Sequence, residues 1–166
     1  MADRFPMTLA GHKALEAELK RLKREERPRV VRAIEEARAH GDLSENAEYD
    51  AAKEEQGLLE ARIRDIEAKL SAAQIIDVES LSGAKVVFGA TVQLEDLDSG
   101  ESRSFTIVGE DEADVERGLI SYISPIARAL IGKSIDDIAK VRLPAGQKEY
   151  EIREVQFICT TNLKLV

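Results

Sequence analysis

The chain has 166 residues, which allows one full domain or two small ones, and 43% of them are hydrophobic, enough for a core. Aromatic residues make up only 4%, which argues against a large aromatic pocket, and the net charge of −8 argues against bulk attraction to nucleic acid. A single cysteine, Cys159, excludes an internal disulfide and the usual structural zinc sites. The sequence shows neither an apolar leader nor a run of about 18 apolar residues, so we expect a soluble cytoplasmic protein with no membrane partner.

The first 80 residues predict two helical arms of opposite charge. Residues 1–40 carry 10 basic and 7 acidic side chains, whereas residues 41–80 carry 4 and 11. The second arm has the a/d periodicity of a coiled coil, because its inward positions alternate at spacings of three and four residues. These positions are Tyr49, Ala52, Gln56, Leu59, Ile63, Ile66, Leu70 and Ala73.

The first arm has a looser apolar seam that is interrupted by a proline. Its apolar positions are Leu15, Leu19, Leu22, Val30, Ile34 and Ala37. Pro28 lies inside this run, and a proline within a helix removes a hydrogen bond and usually kinks or locally breaks the helix. We therefore expect the helix to bend or restart at Pro28 rather than end there.

Two helical arms joined by a short polar break predict an antiparallel hairpin. The first arm, from about residue 8 to 39, is about 48 Å long at a rise of roughly 1.5 Å per residue. Because a two-helix hairpin has little core of its own, a second domain is expected as its anchor. We assign residues 1–79 to an N-terminal antiparallel coiled-coil domain with an acidic tip at residues 41–48, and residues 80–166 to a C-terminal domain.

The C-terminal domain is predicted to be a small, mostly antiparallel β-sheet with one short helix. From residue 85 onward the apolar residues follow a period of two, and the turn at residues 98–100 predicts a hairpin. Ser124 as N-cap and Pro125 at the first helical position predict a short helix ending near Gly132. The predicted strands are residues 85–97, 102–109, 118–124, 137–144 and 148–158.

The polar break between the arms contains two carboxylates three residues apart, Asp42 and Glu45. This spacing fits a capping box, in which each side chain accepts a backbone N–H of the other residue, and Ser44 is a second N-cap candidate. A different interpretation is a metal-handling tip, because Mg²⁺ takes one or two carboxylates and keeps several waters. Such a pair would bind the metal weakly alone but would complete a site that already holds a metal and a phosphate. Spacing alone leaves both interpretations open.

Several segments together resemble the bacterial GreA/GreB transcript-cleavage factors. The "GDLSENAEY" tip and the "SPIARALIGK" segment are highly specific when they occur together, and the resemblance covers about residues 5–158. The chain resembles GreA more than GreB, because the matching segments follow one another without insertions between them and because the first arm is only modestly basic. The other segments are "ARAHGDLSENAEYDAAKEEQ", "RIRDIEAKLSAAQIIDV", "VFGATV", "IVGEDEAD" and "ISPIARALIGK".

The resemblance implies an α+β fold and a function performed on another protein. It implies a long N-terminal antiparallel α-helical coiled-coil hairpin that enters the secondary channel of bacterial RNA polymerase. It further implies a C-terminal FKBP-like antiparallel β-sheet domain with one short helix, which docks at the rim of that channel. The function implied is stimulation of the polymerase's own cleavage of the 3′ end of backtracked RNA. The protein itself is then no enzyme, and a monomer without a cofactor of its own is expected.

The resemblance also implies roles for particular residues. Asp42 and Glu45 match the family's acidic tip pair, which stabilises a second Mg²⁺ in the polymerase active site. Arg38 and Lys53 match basic positions near the tip that contact the nascent RNA 3′ end. Lys53 takes the place of an arginine found in many members, which keeps the charge but weakens a bidentate phosphate contact.

The resemblance also indicates a docking surface, and three other functions compete with the one it implies. Ser124 and Pro125 fall in the segment that resembles the surface docking on polymerase. The alternative function is a channel-binding polymerase inhibitor of the same architecture without cleavage activity, which the intact acid pair disfavours. A prolyl isomerase is disfavoured because it needs an aromatic pocket, and a purely structural coiled coil explains neither the proline nor the acidic tip.

Overall fold

The computed structural model describes residues 4–41 and 46–158, which form two compact units. The helical unit is His12–Ala73. The sheet unit combines Arg4–Gly11 with the chain from Gln74 onward. The predicted fold class, a long helical hairpin followed by a β-sheet domain with a short helix, is confirmed.

The first arm of the hairpin consists of α1, Leu9–Arg21, a π-helical turn, Leu22–Glu26, and α2, Arg27–Ala39. In the turn, the backbone N–H of Arg27 donates to the carbonyl of Leu22, five residues earlier. Because Pro28 has no N–H, the wider turn lets the helix continue around the proline ring, and Pro28 lies at the start of α2. The helix therefore does not end at Pro28, as predicted, but it continues through a π-helical turn rather than restarting.

The second arm is one helix, α3, Ala47–Ser71, and it packs on the first arm through the predicted seams. Val30, Ile34 and Ala52 form one buried cluster, against which Tyr49 and Leu59 pack. Each fully buried aliphatic side chain of this kind stabilises a fold by roughly 1.5–3 kcal/mol. The seam positions that are buried in the helical unit are Leu15, Leu22, Val30, Ile34, Ala37, Ala52, Ile63 and Ile66.

Ion pairs also join the two arms of the hairpin. The guanidinium of Arg27 holds the Glu60 carboxylate through two bonds of 2.8 and 2.9 Å, and this hydrogen bonding lowers the pKa of Glu60. Exposed pairs contribute only about 0.2–1 kcal/mol each, so the apolar seam holds the hairpin together and the ion pairs favour its alignment. The cross-arm pairs are Lys23–Glu67, Arg27–Glu60, Arg29–Glu55 and Glu18–Arg62.

The sheet unit contains a five-stranded sheet in the order β5-β4-β3-β7-β6, and strands β1 and β2 form a separate two-stranded sheet. The short helix α4, Pro125–Leu130, packs against this unit's core through the buried side chains Ala127 and Leu130. The strands are β1, Phe5–Thr8, β2, Ala73–Ile76, β3, Thr91–Asp96, β4, Ser102–Val108, β5, Leu119–Ser121, β6, Ile138–Leu143, and β7, Gly146–Gln156.

The sheet is mostly antiparallel, as predicted, and three of its details were not predicted. Strand β5 runs parallel to β4, whereas the other neighbours in the five-stranded sheet are antiparallel. The predicted strand 85–97 is shortened to β3, because Gly89 has φ +88°, a left-handed conformation that interrupts the strand. Strand β1 was not predicted.

The aromatic side chains of the sheet unit are used for packing. Phe105 and Tyr150 are buried, and Phe88 meets Tyr122 edge to face with ring centroids 5.9 Å apart. Phe88, Tyr122 and Phe157 pack against the same core cluster. These contacts weigh against the prolyl isomerase hypothesis, which needs aromatic rings around an open pocket.

Asp96, at the end of β3, is a buried carboxylate that closes the β3–β4 turn. The residue is 2% exposed, and its carboxylate accepts the N–H groups of Asp98 at 2.9 Å and Ser99 at 3.4 Å. The ammonium of Lys148 lies 3.2 Å away. These three groups lower the pKa of Asp96 below its ordinary value. The hydrogen bond from the Asp98 N–H has the largest effect, the bond from Lys148 the next largest, and the Ser99 N–H a smaller one.

We expect Asp96 to make folding stability depend on acid pH. Its folded-state pKa lies below the unfolded value of about 3.9. Its stabilising effect is therefore complete above the unfolded pKa and is lost as the pH falls from about 5 through the lowered folded-state pKa. Thermal melting between pH 6 and pH 2.5 should show a shallower fall for Asp96→Asn than for wild type. Asp98→Asn, at the exposed neighbouring position, should keep the wild-type slope, and equal slopes for all three proteins would contradict the expectation.

Candidate functional site at the end of the helical hairpin

The candidate site lies where the two arms of the hairpin meet. Helix α2 ends because Gly41 takes φ +115° and its N–H donates to the Arg38 carbonyl at 3.3 Å, a helix ending that glycine favours. The next described residue, Asn46, precedes α3. Asp42 and Glu45, the predicted acidic pair, lie outside the described residues, as does Ser44.

The N-cap of α3 is Asn46, so the prediction that Asp42 or Ser44 caps this helix was wrong. The Asn46 side-chain oxygen accepts the Tyr49 N–H at 3.0 Å, and the backbone of Asn46 is extended, with φ −96° and ψ 94°. Asparagine caps helices as well as aspartate or serine does, and Glu48 and Asp50 in the first turn suit the helix dipole. The sequence signal for this helix start is an asparagine followed by two acids, and the capping-box spacing of Asp42 and Glu45 pointed to an earlier start instead.

The same Asn46 side chain also joins the two arms. Its Nδ2 donates to the carbonyl oxygen of Ala37, near the end of α2, at 2.6 Å. Because the Tyr49 N–H requires the oxygen of the amide on its side, the amide nitrogen faces Ala37. One side chain therefore starts α3 and holds it to the last turn of α2.

Arg38, a predicted RNA-contacting residue, lies against an aromatic ring of the other arm. The central carbon of its guanidinium is 5.8 Å from the centroid of the Tyr49 ring, a cation–π distance. Beside this pair, His40 Nε2 lies 3.8 Å from a carboxylate oxygen of Glu48, with both side chains largely exposed. Arg38 is thus exposed and lies at cation–π distance from Tyr49 of the other arm.

Lys53 is exposed and donates to the side-chain oxygen of Gln56 at 3.0 Å. Tyr49 and Lys53 are four residues apart on α3, so both lie on one face of the helix. Arg38, through its contact with Tyr49, lies toward that same face. The two basic residues predicted to contact RNA are therefore on one side of the hairpin end.

Ser124 and Pro125 start helix α4 in the sheet unit, as predicted. The Ser124 hydroxyl oxygen accepts the Ala127 N–H at 3.2 Å, and Pro125 is exposed at the first helical position. Ile123, before the helix, is 41% exposed, and Ile131, after it, is 40% exposed. This end of the sheet unit offers apolar side chains beside the helix start.

The described part of the chain has neither a metal-binding cluster nor a membrane-spanning helix. In residues 4–41 and 46–158, no three His, Cys, Asp or Glu side chains are grouped so that they could hold a metal ion. Across the same residues, no helix is both long and apolar enough to cross a bilayer.

Comparison with known proteins identifies the family. Residues 5–75 match the family described as "Transcription elongation factor, N-terminal", and residues 81–157 match "Transcription elongation factor, GreA/GreB, C-term". A Thioalkalivibrio sulfidiphilus protein named transcription elongation factor GreA is 60% identical over 94% of this chain and 99% of its own length. This chain belongs to the GreA/GreB family of transcription elongation factors.

Other members of the GreA/GreB family match over similar lengths. A protein from Methylococcus capsulatus with the same printed name is 59% identical over 94% of this chain and 99% of its own length. The solved structure of GreA factor homolog 1 from Thermus thermophilus is 31% identical, covers 93% of this chain and 99% of its own, and has a TM-score of 0.43. The two family models and the curated relatives confirm the predicted family over nearly the whole chain.

Proposed function

We propose that this protein binds bacterial RNA polymerase and stimulates the polymerase's own cleavage of the 3′ end of backtracked RNA, so that arrested complexes resume elongation. Membership of the GreA/GreB family supports the proposal. The observation that carries it is the hairpin: two packed helices converge on the short segment that contains Asp42 and Glu45. Under this proposal the protein contributes chemical groups to another protein's active site and acts as a monomer.

The hairpin suits delivery of a group into a deep channel. From Leu9 to Ala39 the first arm rises about 46 Å at roughly 1.5 Å per residue. The buried seam and the cross-arm ion pairs described above stiffen the pair of helices. A narrow rod of this length fits the proposed entry through the secondary channel of polymerase.

Asp42 and Glu45 are the residues we propose to act at the active site. Carboxylate oxygens are the protein ligands that Mg²⁺ prefers. In the polymerase active site, Mg²⁺ supplies a polarised water and stabilises charge on the reacting phosphate. The protein needs no resident cofactor in this proposal, because the metal belongs to the polymerase.

Arg38 and Lys53 are proposed to contact phosphates of the extruded RNA 3′ end. The contact of Arg38 with the ring of Tyr49 supports the proposal, because it limits where the guanidinium of this exposed residue lies. Lys53, one turn beyond Tyr49, offers a mobile point charge on the same side of the hairpin. Lys53 lies in the acidic second arm, where residues 41–80 carry 11 acidic and 4 basic side chains, and the whole chain has a net charge of −8, so the proposed RNA contact is local rather than a general nucleic-acid affinity.

Ser124 and Pro125 are proposed to belong to the surface that docks on the outside of polymerase. Pro125 is exposed and rigid, and the exposed side chains of Ile123 and Ile131 flank the helix that it starts. Because the Ser124 hydroxyl already caps α4, its contribution to docking is to fix that helix start.

The test is a transcript-cleavage assay with purified bacterial polymerase stalled in a backtracked position on 5′-labelled RNA. We expect the protein to shorten the labelled RNA and to restore its extension when nucleotides are added. The protein mixed with RNA alone should leave the RNA intact. Slower nucleotide addition without any shortening of the RNA would contradict the proposal and favour the inhibitor.

A further inference from the structure

The side chain of Asn46 makes two bonds that few other side-chain types could make together. Its oxygen accepts the Tyr49 N–H at 3.0 Å, while its nitrogen donates to the Ala37 carbonyl at 2.6 Å. The first bond satisfies one of the free N–H groups at the start of α3. The second adds a side-chain donor from the other arm to the Ala37 carbonyl, which also accepts the His40 N–H at 3.3 Å. The bonds use different atoms of one amide, so both can be present at once.

The bond to Ala37 is better protected than the neighbouring contacts between the arms. The Ala37 residue is only 3% exposed, and Asn46 is half-buried. The nearby His40–Glu48 pair is 3.8 Å apart, with side chains 69% and 75% exposed. Exposed pairs of this kind contribute little and are screened by salt. Asn46 is therefore the firmest polar link described between α2 and α3 at this end.

We infer that Asn46 is a positioning residue for the acidic tip, beyond the metal-binding and RNA-contacting roles proposed above. The inference rests on the proposed function. The chain leaves α2 at Gly41 and returns at Asn46, and only residues 42–45, which include Asp42 and Glu45, lie between. Fixing Asn46 to the Ala37 carbonyl fixes the separation of the two points from which those four residues start and end. Asn46 itself touches neither RNA nor metal in this assignment.

Three substitutions separate the two bonds of Asn46. Asn46→Ser keeps an N-cap of nearly equal strength, but a single hydroxyl oxygen cannot reach both the Tyr49 N–H and the Ala37 carbonyl. Asn46→Asp keeps both the shape and the cap but replaces the donor with an acceptor that faces the Ala37 oxygen. Asn46→Ala loses the cap as well, so it measures the loss of helix stability.

The experiment measures stimulated cleavage at increasing concentrations of each full-length variant. For Asn46→Ser and Asn46→Asp we expect a maximal rate lower by about ten- to a hundredfold, since misplacement of reacting groups by about 1 Å can cost that much. The half-saturating concentration and the melting temperature should stay near wild type, because docking and capping are kept. Ala47→Ser, at the adjacent exposed position, should cleave at the wild-type rate.

Two results would overturn the positioning role. One is a wild-type maximal rate for Asn46→Ser, and the other is a loss confined to the half-saturating concentration, which would make Asn46 a binding residue. Failure of this inference is distinguishable from failure of the proposed function. If wild type stimulates cleavage and the tip-acid variants do not, the proposed function stands whatever Asn46→Ser does.

Discussion

Asp42→Asn and Glu45→Gln are each expected to reduce the maximal rate of stimulated RNA cleavage by on the order of a hundredfold. Each substitution keeps the shape of the side chain but replaces a carboxylate, a strong Mg²⁺ ligand, with a neutral amide. Loss of a metal ligand removes roughly 3 kcal/mol of transition-state stabilisation, and each 1.36 kcal/mol is tenfold in rate. The measurement is the single-turnover rate of RNA shortening in backtracked complexes at saturating protein.

Binding to polymerase should survive these substitutions, since the proposed docking residues, Ser124 and Pro125, are unchanged. An excess of either variant should therefore compete with wild type and suppress its cleavage. Glu48→Gln and Asp50→Asn are matched controls, because each removes one charge from the first turn of α3. If these controls lose as much rate as the tip variants, the effect is one of general charge, and the tip mechanism is wrong.

The Mg²⁺ dependence tests how the carboxylates act. If Asp42 and Glu45 help to hold a metal in the polymerase, raising the Mg²⁺ concentration should recover part of the rate lost by Glu45→Gln. A variant with a defect in docking would gain nothing from extra Mg²⁺. Recovery with protein concentration but not with Mg²⁺ would contradict the metal-binding role.

The hairpin was predictable because its signal is periodic and local. Positions such as Ile63 and Ile66 follow the three-four spacing of a coiled coil, and both are essentially fully buried. Pro28 also acts locally, since the missing N–H must be accommodated within a turn of helix, and the π-helical turn does so. The start of α4 at Ser124 and Pro125 follows from capping preferences alone.

The details that sequence reasoning missed depend on contacts between distant residues. Strand β1 forms its sheet with β2, which lies more than 60 residues later in the chain. The four residues of β1 carry no sequence pattern that identifies β2 as their partner. The parallel pairing of β5 with β4 depends on two short 3₁₀ turns between them, Glu110–Glu112 and Val115–Arg117. At the candidate site, the role of Asn46 depends on Ala37, a residue of the other arm.

Glu112 is a further link of this long-range kind, because its carboxylate holds the beginning of the chain within the sheet unit. It accepts the N–H groups of Thr8 and Gly109, each at 3.1 Å, and the hydroxyl of Thr8. Thr8 in turn accepts the Gly11 N–H at 3.1 Å, so Thr8 caps α1. A Cβ added to Gly11 would lie 2.3 Å from Cδ of Glu112.

Gly11→Ala is therefore expected to destabilise the protein by about 2–4 kcal/mol, against the usual gain for alanine in a helix. Glu112 can move away from the new methyl group only by breaking its bonds to Thr8 and Gly109. The measurement is the free energy of unfolding from urea denaturation. Gly57→Ala is the control, because a Cβ at this exposed position in α3 meets nothing within 4 Å, and it should stabilise by about 1 kcal/mol.

A double-mutant cycle tests whether Glu112 is the cause. In the Glu112→Ala background the obstructing side chain is gone, so the further change Gly11→Ala should cost little or should stabilise α1. The predicted coupling between the two positions is therefore large. If Gly11→Ala costs the same in both backgrounds, the loss of stability arises elsewhere, and Glu112 is not what requires a glycine at position 11.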